Sequence, residues 1–314
     1  MRHIKERRAY LPYKQSPVSF AADLRNQRTV TAGRSRMKRQ ALLPLVTYPD
    51  PISDAAAANA AAMAARLDAD LYALAVNVDI PPVPNALLRL LLNTPELIRH
   101  AEAMSRERGT EMLAAVTGQA GQIGVEITTN TLAAAPALLG DAAATQARYF
   151  DFALVGWAAN NQTSRRTAEA VIFGSGRPTI LVPERSEPDP IDHVAVAWDG
   201  SRVAARAVAD AGPLLQRAAR ISVLTVVDEK PLHEKDAGER LAGSLRKRKL
   251  SAEAVAIRAE DCPISATLQE HAIRSGATLL VMGGYGHSRV RDFVLGGATE
   301  GILDDLRLPV MLSH

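Results

Sequence analysis

The chain is 314 residues long, room for about two domains of roughly 150 residues each. It is 47% hydrophobic and 23% charged with a formal net charge of +3, a composition with enough apolar material for a core and unlike that of a disordered chain. A single cysteine, Cys262, excludes an internal disulfide and a multi-cysteine metal site, and no apolar run reaches the about 18 residues of a membrane span.

In chain order, residues 1–40 come first, with eleven Lys/Arg against two Asp/Glu, so that this segment is +9 and the remainder is −6. It lacks hydrophobic periodicity and the apolar stretch of a secretory signal. It reads either as a disordered basic arm suited to nucleic acid or an acidic membrane surface, or as sequence upstream of a start at Met37. Next, "LVTYPDPISDAAAANAAAMAARLDADLYALAVNVD" gives strand, turn, alanine-rich helix and strand. "NALLRLLLN" is apolar but short, and Arg89 interrupts it. "FDFALVG" and "RPTILVP" read as later strands of this half.

The segment "ERSEPDPID", residues 184–192, carries acidic residues and prolines without periodicity and reads as a linker. It separates a domain of residues 41–183 from one of residues 193–314. In the second, "HVAVAW" is strand, "SRVAARAVADAGPLLQRA" helix with Ser201 as N-cap, "ISVLTVV" strand, "GERLAGSLRKRKL" helix and "AEAVAIRA" strand. "PISATLQEHAIRSG" is then helix, "ATLLVMG" strand, "TEGILDDL" helix and "LPVMLS" strand. The halves are a repeat: Asp50 can be laid on Asp199 and Asp79 on Asp228 at an offset of 149, and "FDFALVG" parallels "ATLLVMG".

Strands alternating with helices, with near-continuous Val/Leu/Ile runs, predict an α/β chain of two doubly wound, five-stranded parallel-sheet domains in tandem. Ligands of such sheets gather beyond the carboxyl ends of the strands, where strand order reverses. At that edge of the second domain stands "GGYGHSRVRDFVLGGAT", residues 283–299. Glycines let backbone N–H groups approach a ligand without an intervening Cβ, and such a loop leading into a helix N-terminus is an anion cradle suited to phosphate. It has neither the Walker pattern nor a complete G-x-G-x-x-G.

Gly283, Gly286 and Gly296 form G-x2-G-x9-G after a fourth strand, and "VAVAWDGS" opens the same domain with Asp199, Gly200 and Ser201. Together these resemble the universal stress protein family, the tandem architecture covering residues 41–314 and the specific motifs only the second domain. The resemblance implies an adenine nucleotide alpha hydrolase-like fold. It implies that Asp199, Gly200 and Ser201 lie against an adenosine, with Val226 near the adenine. Gly283, Gly286, Gly296 and Gly297 would follow ribose and phosphates, and Arg289 would lend charge to a phosphate. ATP or a related adenine nucleotide, with or without Mg²⁺, is the cofactor so implied, and a cytoplasmic stress response the setting. Hydrolysis would be slow at most, since no acid–base pair, metal motif or G-x-S-x-G elbow is visible.

Two departures bear on this reading. Gly297 stands where nucleotide-binding members carry Ser or Thr, which removes a hydrogen bond to a charged group worth about 1.5–3 kcal/mol; Thr299 lies two places on. In the first domain Gly156 is kept, but Ala159 replaces the second glycine and Pro51 follows Asp50. That domain reads as degenerate and structural, half of an internal pseudo-dimer, with room for a homodimer and an unknown protein partner. Nucleic acid does not fit the folded part, acidic overall and without aromatics near "LRKRKL", and no membrane partner is expected. His193, His233 and His271 read as exposed or capping. Trp157 and Trp198 end strands and could wall a pocket. The alternative from another class is a nucleotide-free interaction scaffold of the same fold.

Overall fold

Apolar runs of strand length separated by capped helical stretches build the sheet. The structure, a computed structural model, describes residues 38–82, 93–185, 187–228, 236–284 and 297–314. The basic tail up to Met37, His233 and most of the glycine loop lie outside the described residues.

In the first half, β1 (Arg39–Val46) leads through residues 47–53 to α1 (Asp54–Arg66), which starts at Ser53 because that side chain accepts from Ala56 N. β2 (Ala69–Val78), α2 (Thr94–Ile123), β3 (Ile127–Ala134), α3 (Leu139–Ala147), β4 (Phe152–Trp157), α4 (Gln162–Gly174) and β5 (Thr179–Pro183) follow. The 30-residue α2 leaves only a weak signal in the sequence. Its buried positions, Ser105, Gly109, Met112, Val116 and Ala120, fall at helical spacing, but two of the five are not apolar and blur the pattern.

In the second half, β6 (His193–Ala197) is joined to α5 (Arg202–Asp210) by residues 198–201 alone. The expected single helix over 201–218 breaks at Ala211: α6 (Gly212–Leu215) is a separate turn, since Pro213 has no N–H to continue the ladder. Then come β7 (Arg220–Val226), α7 (Ala237–Lys247), β8 (Ala252–Ile257), α8 (Ile264–Arg274), β9 (Leu279–Gly283), α9 (Gly297–Asp304) and β10 (Val310–Ser313).

The strands form one ten-stranded sheet in the order β3-β2-β1-β4-β5-β10-β9-β6-β7-β8. Pairing is parallel within each half, and β5 meets β10 antiparallel, Met311 opposite Ile180. Each half thus has the order 3-2-1-4-5 and reverses direction of growth between its first and fourth strands. Alternation along β1 divides the core: Leu43 and Leu45 face α1 and α2, while Leu42 and Val46 face α3 and α4. The first of these cores runs on into the second half through Val194, Val223 and Leu279. Leu42, Leu43 and Leu45 are fully buried, each contributing about 1.5–3 kcal/mol relative to exposure.

Candidate functional site

Because β9, β6 and β7 are neighbours, their carboxyl ends bring Asp199, Gly200, Ser201, Val226 and Gly283 to one edge, at the point of reversal. Gly286, Arg289 and Gly296 lie outside the described residues. Gly297 is the exposed first residue of α9, and a Cβ there would touch nothing among the described residues. Thr299 is buried within α9.

The first turn of the second half is held by its own side chains. Asp199 Oδ1 accepts from Ser201 N at 2.9 Å, and Ser201 Oγ accepts from Ala204 N at 3.2 Å as the N-cap of α5. Gly200, between them, has φ +77°, a backbone conformation glycine adopts without strain. Asp199 and Gly200 are exposed. Val226 is half-buried against the core under α8 and α9.

Gly283 has a reason of its own. A Cβ there would lie 2.6 Å from Ala204 N and from Val203 C, so α5 approaches β9 too closely for any side chain. Gly156, at the matching end of β4, stands in the same relation to α1: a Cβ would lie 2.7 Å from Ala56 O. The glycine shared by both halves therefore serves helix–strand packing, whatever else it does.

At the neighbouring corner the Asp228 carboxylate accepts from Ala259 N at 2.8 Å and Glu260 N at 3.1 Å. These two backbone donors hold its pKa below the usual carboxylate range, and they fix the loop that carries the exposed Cys262. Among the described residues Trp198 Nε1 and Thr225 Oγ1, at the ends of β6 and β7, are buried without a hydrogen-bond partner. In the sequence Trp198 reads as a pocket wall, whereas Thr225, a polar residue closing an apolar run, carries no distinguishing signal.

The first half closes the equivalent edge. Asn161 Nδ2 donates to Asp50 Oδ2 at 3.0 Å, to Asp50 O at 3.2 Å and to Pro51 O at 3.3 Å, while its Oδ1 caps α4 by accepting from Ser164 N at 2.7 Å. The loop after β4 is thereby tied to the loop after β1. Beside it, Ser105 of α2 bridges the first two strands, 2.6 Å from Thr47 Oγ1 and accepting from Val78 N at 2.9 Å. The N-caps Ser53 and Ser201 correspond at an offset of 148, so Asp50 does not superpose on Asp199 in the helix register.

Trp157 does line a cavity of about 200 Å³, but at the junction of the halves, with Asn160, Pro183, Glu184, Arg185 and Asp304, away from the Asp199 turn. His193 corrects the expectation of an exposed or capping residue. It is 7% exposed at the start of β6, with Nε2 2.9 Å from Ser222 Oγ, and burial, then the Arg220 guanidinium, pushes its imidazole below the ordinary range. Among the described residues no cluster of His, Cys, Asp or Glu could hold a metal ion, and no helix is long and apolar enough to cross a membrane.

Residues 190–314 match the model of the universal stress protein family. Among solved structures, a universal stress protein from Archaeoglobus fulgidus DSM 4304 is 15% identical, with a TM-score of 0.63, over 87% of this chain and 97% of its own. A putative universal stress protein from Pseudomonas aeruginosa UCBPP-PA14 is 14% identical, with a TM-score of 0.51, over 88% and 93%. At these identities the likeness is one of fold, and it spans both halves. No curated protein matches.

Proposed function

Residues 190–314 belong to the universal stress protein family, and from that premise we propose that the second half binds ATP or a related adenine nucleotide, whose occupancy acts as a regulatory signal in a stress response. The division of labour follows the boundaries read from the sequence, 41–183 as a structural partner, 184–192 as linker and 193–314 as the binding domain. Asp199, Gly200 and Ser201 would flank the adenosine and Val226 the adenine, with Gly283, Gly286, Gly296, Gly297 and Arg289 along ribose and phosphates. Mg²⁺ would accompany a triphosphate, and turnover would be slow at most. An unpaired exposed thiol at Cys262 suits a reducing compartment such as the cytoplasm.

The observation that carries this reading is the difference between the two turns. Asn161 ties Asp50 and Pro51 to the loop after β4 in the first half, whereas Asp199 and Gly200 stand exposed beside Val226 and Gly283. A second reading, a nucleotide-free scaffold, is favoured by Gly297 in place of a hydroxyl-bearing residue. Calorimetric titration of the full chain with ATP and Mg²⁺ separates them. Saturable heat lost in Gly286→Val supports nucleotide binding; no heat at millimolar nucleotide leaves the scaffold.

A further inference from the structure

One charged cluster crosses from one half to the other. Arg165, one turn into α4, donates from Nη1 to Asp304 Oδ1 at 2.6 Å, from Nη2 to Glu300 Oε1, and from Nε to Glu169 Oε1 at 3.0 Å. Its side chain is 23% exposed and that of Glu300 28%. The Asp304 hydrogen bond in first place, then that to Glu169, holds the guanidinium above even its usual range. Two of the three carboxylates belong to α9, the helix that opens at Gly297.

The position of Glu300 gives the contact its meaning. It stands in the first turn of α9, where a carboxylate competes with any other anion for the positive end of the helix and repels it directly. Left uncompensated, Glu300 would oppose phosphate at the start of α9. A guanidinium cancels that charge, and its forked donors keep it in place. The start of α4 is in turn fixed by the closed edge of the first half: Asn161, which ties down Asp50, also caps α4, and Arg165 N donates to Asn161 O at 3.1 Å. The residue that shuts one cleft therefore seats the arginine that reaches the other.

We infer that Arg165 of the first half is the counter-charge that lets the start of α9 accept the phosphates of a nucleotide held in the second half. Arg165 is on this account a positioning residue with no contact to the ligand, and the inference rests on the function proposed above. It makes affinity for polyphosphate a property of the contact between halves, so the first half takes part in binding without holding a ligand.

The test is titration of the full chain with ATP and with AMP, at low and at physiological salt, for wild type, Arg165→Gln, Glu300→Gln and the double variant. Arg165→Gln should weaken ATP about tenfold at low salt, AMP much less, and the gap should narrow as salt screens it. Glu300→Gln alone should tighten ATP by about threefold, an effect that does not depend on the stability of the arginine variant, and the double variant should return ATP affinity towards wild type. ATP affinity unchanged in Arg165→Gln and Glu300→Gln, or equal loss for ATP and AMP without recovery in the double variant, overturns the inference alone and leaves Arg165 a structural pin. A wild-type chain that binds neither nucleotide overturns the inference together with the function beneath it.

Discussion

The two halves place a glycine, an N-capping serine and an Ala-rich helix at matching points of the same strand order, yet among the described residues only the first half shows its edge tied between loops. Gly156 and Gly283 do the same work, letting α1 and α5 press on the ends of β4 and β9. The difference lies in the loops around them. In the first half residues 47–52 precede the cap and Asn161 stitches them to the loop after β4; in the second, residues 198–200 suffice and, among the described residues, Asp199 and Ser201 hold the turn. A few hydrogen bonds between loops can thus tie an edge of the sheet while the core beneath it stays unchanged.

The largest expected effect tests whether the shared glycine is a packing feature. Gly156→Ala and Gly283→Ala each force a methyl against backbone atoms of a neighbouring helix, where no rotamer offers relief, and each should cost about 3 kcal/mol or prevent folding. Denaturant unfolding of both variants reads the cost. Equal losses sustain the symmetry of the halves. A Gly283→Ala chain as stable as wild type but altered in nucleotide titration would show that the second glycine serves the ligand, and the comparison would break there.

A smaller effect separates the edge tied by Asn161 from the edge that carries Asp199. Asn161→Ala removes an N-cap and three donated contacts to residues about as far away in sequence as a domain is long, whereas Ser201→Ala removes a cap alone. The serine variant should lose about 1 kcal/mol, and the asparagine variant more, about 2 kcal/mol or above. Amide hydrogen exchange gives the sharper readout: Asn161→Ala should expose the loops around Asp50 and Ala159, while Ser201→Ala should fray only the start of α5. Similar exchange in both variants would mean that the first edge is held shut by packing rather than by Asn161.

Much of the frame was legible because it is written in short-range pattern. Strand order could not be read, but the alternation of apolar runs with capped helices could, and the Asp199-Gly200-Ser201 turn falls where a strand ends and an N-cap begins. What escaped depends on pairs distant in sequence. Asn161 and Asp50 are 111 residues apart and Arg165 and Glu300 are 135 apart, and neither pair leaves a periodic or compositional trace. In α2, Ser105 and Gly109 occupy inward positions where an apolar residue would have signalled the helix. Ser105 is there for its hydroxyl, and Gly109 because a Cβ would lie 2.5 Å from Asn77 Oδ1. The offset of 149 failed in the helix register for a related reason, since the loops before α1 and α5 differ in length.

The smallest effect concerns the first residues of β1 and β6. Arg39 donates to Leu67 O at 2.8 Å and stands 5.3 Å from the centre of the Phe152 ring, and its charge does not titrate near neutrality. His193 at the start of β6 does. Burial, then Arg220, lowers its folded-state pKa below 6.5, while Glu253 and the carbonyls of Ser275 and Gly276 pull weakly the other way. Between the two values the unfolded chain binds the proton and the folded chain does not. Stability contributed by the neutral imidazole is therefore complete above about pH 6.5 and is lost as pH falls through the folded value. Glu253, hydrogen-bonded by Arg220 and Ser222, has its own pKa lowered below 4.5 and stays charged over that range. A melting temperature followed from about pH 7.5 to about pH 5.5 should decline in wild type and decline less in His193→Gln, whose amide can still meet Ser222. An unchanged slope in His193→Gln would remove the titration from this half and leave the starts of β1 and β6 equivalent in their response to acid.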